Sequence, residues 1–91
     1  MKTITRRIPA SHVEVLVLGL IVADQHESSG RGYPSSIEEL YEKNEMGGQT
    51  FIHEYCTKRQ FLKIVKKLAA EELIVIRQIR GKDYPFIAGR G

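Results

Sequence analysis

The stretch Thr57–Leu73, TKRQFLKIVKKLAAEEL, constrains the chain more than any other. Its apolar residues Phe61, Leu62, Ile64, Val65, Leu68, Ala69 and Leu73 recur at close to helical spacing. Phe61, Val65 and Leu68 form an i, i+4, i+7 line suited to a core, and Arg59, Lys63, Lys66 and Lys67 gather on the other side. Thr57 and Gln60 fit a capping box, in which the two side chains satisfy free amides at the helix start. The following stretch, IVIRQIRGKDYPFIA, predicts two short strands around a Gly-Lys-Asp turn at 81–83. The product is an amphipathic helix with one oily and one strongly basic face, followed directly by a basic hairpin.

Ninety-one residues make one domain with a modest core, which a second copy would help to complete. With 42% hydrophobic and 27% charged residues, the composition excludes disordered, collagen-like and disulfide-rich classes. The single cysteine, Cys56, rules out an intrachain disulfide and fits a reducing, cytoplasmic setting. Net charge is only +3, but its distribution is uneven. Residues 1–10 carry three basic residues and no acid; residues 11–56 carry two basic and eight acidic; residues 57–91 carry nine basic and three acidic. Basic charge concentrated on one face attracts a polyanion better than diffuse charge does. The longest apolar run, Val13–Ala23, is too short to span a bilayer and is interrupted by Glu14. Arg6-Arg7 precede it, but no small-x-small cleavage site is evident, and Pro9 and Glu14 fit an export signal poorly.

Residues 1–10 read as a basic arm, with Thr3–Thr5 as a possible short strand. Ser11 to about Glu27 predicts the first helix, with Ser11 and Glu14 as a capping box. Its run VEVLVLGLIVA is apolar almost all round, so it should be buried on more than one side, and a dimer interface is one way to cover it. The β-branched Val13, Val15, Val17, Ile21 and Val22 would also suit a buried strand; length, cap and the lack of an internal turn favour helix. Glu27–Pro34 reads as a loop. SSIEELYEKNE predicts a second helix, capped by Ser36 with Glu39 or by Ser35 with Glu38 and ended by Met46-Gly47-Gly48. Residues 49–56 are open between a helical turn and an extended segment.

The order helix, loop, helix, connection, basic helix, basic hairpin resembles the winged-helix family of DNA-binding proteins over about residues 11–88. The carrying residues are Leu68, Glu71, Glu72, Leu73 and Ile74, then Ile76 to Arg80, Gly81-Lys82-Asp83 and Tyr84 to Ile87. The chain looks most like the small stand-alone transcription regulators of bacteria, archaea and archaeal viruses. It departs from them at Glu72, where glycine is usual before Leu-Ile, and in a connection before the third helix that is longer than in a conventional helix-turn-helix. The resemblance implies an α+β winged helix of three helices and a two-stranded wing, residues 11–91, behind the arm at 1–10. It implies double-stranded DNA as partner, helix 57–72 in the major groove, hairpin 74–88 as wing, and a homodimer through helix 11–27 in the nucleoid or a host-cell cytoplasm.

Carried over position by position, Lys58, Arg59, Gln60 and Lys63 fall on the first turns of the reading helix, whose early residues reach base edges in helix-turn-helix relatives. Arg59 suits guanine and Gln60 adenine, although Gln60 is also the capping residue. Lys63, Lys66 and Lys67 suit phosphates, as do Arg77, Arg80 and Lys82 around the hairpin tip, and Arg6 and Arg7 suit a backbone or minor groove. Arg90 would extend the contact.

Catalysis and a cofactor are not expected. His12, His26 and His53 are far apart, and no His-Glu-x-x-His, cysteine pair or phosphate-cradling glycine loop appears. Cys56 reads as a small buried apolar residue. RNA is not the expected partner, because no aromatic pair on a sheet, as single-strand readers use, is evident. The alternative to DNA is a protein-binding module whose basic face answers an acidic partner, since fold alone does not decide function.

Overall fold

The computed structural model describes residues 8–31, 34–42, 45–46 and 50–88. The architecture is α+β. Helix α1 (Ala10–Arg31) is followed by α2 (Ile37–Glu42), a two-residue antiparallel ladder of β1 (Glu45–Met46) with β2 (Thr50–Phe51), and a 3₁₀ turn at Ile52–Glu54. Helix α3 (Lys58–Ala70) then leads into an antiparallel hairpin of β3 (Ile74–Ile79) and β4 (Lys82–Ile87).

The apolar run near the N-terminus is helix, not strand. Val13, Val17, Leu20 and Ile21 enter the core at i, i+4, i+7, i+8, together with Ile37, Leu40 and Tyr41 of α2 and Phe61, Val65 and Leu68 of α3. Ile74 and the half-buried Ile76 and Ile87 close the core from the hairpin. Burial of α1 on more than one side does not hold for its whole circumference: Val15 is 68% and Val22 48% exposed. Ser11 is not its cap. The helix starts one residue earlier, at Ala10, with the Val13 N–H donating to the Pro9 carbonyl at 3.2 Å, and Glu14 turns to α3 instead. The helix also runs on to Arg31, through the Ser28-Ser29-Gly30 segment that reads as loop.

What fixes that last part of α1 is tertiary. Asp24, 3% exposed, accepts from the Ser35 N–H at 2.8 Å and from the Ser35 hydroxyl at 2.7 Å. A buried carboxylate is stable only when hydrogen-bonded in this way, so the pair pins the approach to α2 against α1. One residue on, Ser36 and Glu39 form the capping box: the Glu39 N–H donates to Ser36 Oγ at 3.2 Å and the Ser36 N–H to Glu39 Oε1 at 3.0 Å. Ser35 is thus engaged with Asp24. Helix α2 is shorter than its sequence suggests, and Glu45 lies in β1 rather than in the helix. The segment after β2 is neither fully helical nor fully extended but a 3₁₀ turn, closed by the Tyr55 N–H donating to the Ile52 carbonyl at 2.9 Å.

Helix α3 begins as its sequence predicts. The Gln60 N–H donates to Thr57 Oγ1 at 3.2 Å, and the Thr57 N–H to Gln60 Oε1 at 2.8 Å. It ends in a Schellman arrangement: the Glu72 N–H donates to the Ala69 carbonyl and the Leu73 N–H to the Leu68 carbonyl, both at 3.0 Å. This closure needs a left-handed residue, and Glu72 takes that conformation with φ 64°. A glycine is therefore not required for the chain to leave α3 towards β3, but an L-residue occupies a position that glycine would fill without strain.

The hairpin turn is Arg80-Gly81, not Gly81-Lys82-Asp83. Ile79 pairs with Lys82, and both turn residues have positive φ, 52° and 81°, as a type I′ turn demands. Lys82 and Asp83 are strand residues. Pro85 pairs with Ile76 in β4 and its carbonyl points outwards, where the Gln25 side-chain amide donates to it at 3.4 Å. The same amide accepts from the Ile87 N–H at 3.2 Å. Gln25 thereby imitates a neighbouring strand and ties β4 to α1. No helix among the described residues is long and apolar enough to cross a membrane.

Candidate nucleic-acid interface

The cations of α3 divide into three groups by direction. Lys58 turns towards α2, with Nζ 3.8 Å from both Glu38 and Glu42. Lys67 turns towards α1 and meets Glu14 at 2.8 Å. That hydrogen bond and the charge of Glu14 raise the Lys67 pKa. Arg59, Lys63 and Lys66, at i, i+4, i+7, are exposed and make no ion pair among the described residues. Leu62, 38% exposed, lies beside them. The buried line Phe61, Val65, Leu68 holds this row outwards, so the amphipathic pattern orients the row and the acids of α1 and α2 take the flanking lysines.

Gln60 shares the first turn with Arg59, but its amide oxygen is held by the Thr57 N–H and also accepts from the Thr57 hydroxyl at 3.2 Å. Paired recognition of adenine needs that oxygen, so capping and base reading compete at this residue.

The hairpin supplies the neighbouring charge. Its turn end faces the start of α3 across a depression of about 260 Å³ lined by Lys58, Phe61 and Leu62 on one side and Gly81, Lys82 and Asp83 on the other. Arg80 stands in the turn and Lys82 beside it. Arg77 lies further along β3, its guanidinium carbon 5.9 Å from the centre of the Phe86 ring. The structure thus brings the hairpin tip to the first turns of α3, at Lys58 and Leu62. Arg6, Arg7 and Arg90, and the Thr3–Thr5 strand, lie outside the described residues.

The segment before α3 is positional. Tyr41 is buried, donates its hydroxyl to the Cys56 carbonyl at 2.9 Å, and packs its ring 5.3 Å from that of Phe61. Burial raises the Tyr41 pKa, with smaller contributions from Cys56 and Glu42. Cys56 is buried, and burial pushes its thiol up to about 11, a protonated and unreactive state at neutral pH. His53 stacks on Phe51 at 5.1 Å and meets the edge of Tyr41 at 6.1 Å. Among the described residues no three His, Cys, Asp or Glu side chains gather as metal ligands would. An open hollow of about 600 Å³ between the start of α1, the 3₁₀ segment and α3, not legible in the sequence, is lined by Val13, Tyr55, Cys56, Gln60, Lys63 and Ile64, among others.

Sequence reasoning missed the partners that sort the lysines, Glu14, Glu38 and Glu42, because they lie on other helices. It also missed that Tyr84 and Phe86 share one face of the hairpin, although their i, i+2 spacing carried that signal. Comparison of the chain with protein-family models, with curated proteins and with solved structures finds no match.

Proposed function

We propose that the protein is a winged-helix binder of double-stranded DNA and a transcription regulator, with α3 in the major groove and the β3–β4 hairpin as wing. The observation that carries the reading is the row Arg59, Lys63, Lys66: three outward cations without acidic partners among the described residues, on a helix whose first turns face a hairpin tip bearing Arg80 and Lys82. Surface lysines that only keep a helix soluble commonly sit among acids. Here the acids are spent on Lys58 and Lys67, and the row between them is left for phosphates and base edges. Arg59 serves as the base-reading residue, Lys63 and Lys66 as phosphate contacts, and Arg77, Arg80 and Lys82 as the wing's phosphate contacts.

A second copy would cover the outer face of α1. That face presents Val15, Gly19 and Val22, flanked by Leu18, His12 and His26, and carries no Lys, Arg, Asp or Glu, so two copies can meet there without opposing charge. Two reading helices related by a two-fold axis would then address half-sites about 10 base pairs apart.

The test is fluorescence anisotropy of a random duplex, and then of a selected site, at several salt concentrations. These five phosphate contacts give a slope of log affinity against log salt of about −4.5. Arg59→Ala weakens the selected site by roughly 1–3 kcal/mol and relaxes one position, whereas Arg80→Ala or Lys82→Ala weakens all sequences alike and lowers the slope by about one. A folded protein that ignores duplex DNA at low salt, or an Arg59→Ala/Lys63→Ala variant that binds unchanged, sinks the reading and leaves the protein-binding module.

A further inference from the structure

The β3–β4 hairpin has two unlike faces. Ile74–Ile87, Ile76–Pro85 and Gln78–Asp83 are the cross-strand pairs of the inner face, which closes the core through the buried Ile74 and Pro85. The outer face is made of the other three pairs: Val75–Phe86, Arg77–Tyr84 and Ile79–Lys82. Val75 is 43% and Ile79 45% exposed, and Tyr84 and Phe86 are half-buried and lie outside the core cluster. This face contains two aromatic rings, two aliphatic side chains, two cations and no acid, and Arg80 adds a third cation at the turn.

We infer that this outer face is a stacking surface for unpaired bases, so that the protein also binds single-stranded nucleic acid. The inference does not depend on the role of α3. Bases in a duplex are stacked on one another and offer a protein only their edges, whereas an unpaired base exposes a face that an aromatic ring can cover. Tyr84 and Phe86 stand two residues apart on one strand, about 6.8 Å, roughly the rise of two nucleotides in a stacked strand. Arg77 lies opposite Tyr84 with its guanidinium over the Phe86 ring, 5.9 Å from its centre; an incoming base would take that place on the ring, and the displaced guanidinium would stack on the base or meet the phosphate between two bases. Lys82 and Arg80 continue the cationic track to the turn. A second copy is the weaker occupant, because a face meeting its own image would set Arg77 and Lys82 against like charges with no acid to offset them.

The test uses the full chain and a labelled oligothymidine of about 12 nucleotides, its abasic counterpart with the same phosphates, and a random duplex, all by fluorescence anisotropy. Oligothymidine binds, and the abasic strand binds more weakly. Tyr84→Ala and Phe86→Ala each weaken oligothymidine by about 5- to 150-fold, the range stacking on one base accounts for. Phe86→Leu, which keeps the bulk and the fold by circular dichroism, moves affinity the same way. Arg59→Ala/Lys63→Ala weakens oligothymidine and its abasic counterpart alike, through lost charge, and leaves their affinity ratio within about twofold, so failure of the duplex reading is seen separately. Three results overturn the inference: a folded protein that does not bind oligothymidine at low salt, equal binding of the abasic strand, or ring variants that bind as the parent does. A drop in sedimentation mass on replacing either ring assigns the face to a second copy and also overturns it.

Discussion

Replacing Glu72 by glycine should stabilise the protein, because the residue is held at φ 64° where the chain turns out of α3. A left-handed conformation costs an L-residue roughly 1–2 kcal/mol, which glycine does not incur. Glycine's greater freedom in the unfolded chain returns about 0.5–1 kcal/mol of that gain. The net effect is about 0.5–1 kcal/mol, or about 2–8 °C in Tm for a domain of this size. A second contribution must be separated from it. Glu71 and Glu72 lie at the helix C-terminus, where negative charge opposes the helix dipole by about 0.3–1 kcal/mol. Glu72→Gln removes the charge and keeps the strain; Glu72→Gly removes both. Thermal and urea unfolding of the three proteins should therefore rank glycine above glutamine above the parent, and Glu72→Val, β-branched at positive φ, below all of them. If glycine gains no more than glutamine, backbone strain at position 72 is not what glycine relieves, and the argument from φ is wrong. Both amide bonds of the closure involve backbone only, so the order does not depend on side-chain contacts of residue 72.

Two further outcomes test the packing. Asp24→Ala removes the acceptor of both the Ser35 N–H and its hydroxyl in a buried site, which should cost about 3 kcal/mol in urea unfolding; a loss under 1 kcal/mol would mean that the α1–α2 junction is not pinned there. Cys56 ionises at about 11 in the folded protein against 9.0 as a free thiol, so the unfolded chain loses its proton first. The thiol's contribution to stability is then fully present below about pH 9 and erodes as pH rises through about 11, a slope that Cys56→Ala should reduce; rapid labelling of the folded parent near pH 8 would contradict its burial.

Features set by local periodicity were legible in the sequence. The Thr57–Gln60 box, the Ser36–Glu39 box and the Phe61, Val65, Leu68 line each depend on residues within two turns of one another. Features set by distant partners were not. The extension of α1 through Ser28-Ser29-Gly30 accompanies the contact of Asp24 with Ser35, and weak local propensity cannot announce such a contact. The hairpin turn was misread because Gly-Lys-Asp looks like turn chemistry, whereas the pairing of Ile79 with Lys82 places Arg80 in the left-handed region. Residues 45–46 and 50–51 form a ladder only two pairs long, too short to leave a period. At the candidate site the basic residues were all visible, but the division between paired and unpaired lysines was not, because it is made by acids on two other helices.

That division has its own consequence at Lys67. Its ammonium is 2.8 Å from Glu14 Oε2, so under the proposed function it is occupied and should add little to phosphate binding in the parent protein. Glu14→Gln would release it. Two effects follow that must be told apart: loss of one negative charge raises affinity for any polyanion, whereas a new phosphate contact also makes the salt slope steeper by about 0.9. Anisotropy with a random duplex at several salt concentrations separates them across four proteins. Lys67→Gln alone should leave the slope unchanged, Glu14→Gln should steepen it by about one, and the double variant, whose net charge equals the parent's, should return both slope and affinity to near the parent values. A slope that falls by one on Lys67→Gln alone would show that the lysine already reaches phosphate in the complex, and that the contact with Glu14 opens on binding. The three-way sorting of α3's cations would then hold for the free protein only, and Lys67 would join Arg59, Lys63 and Lys66 on the DNA.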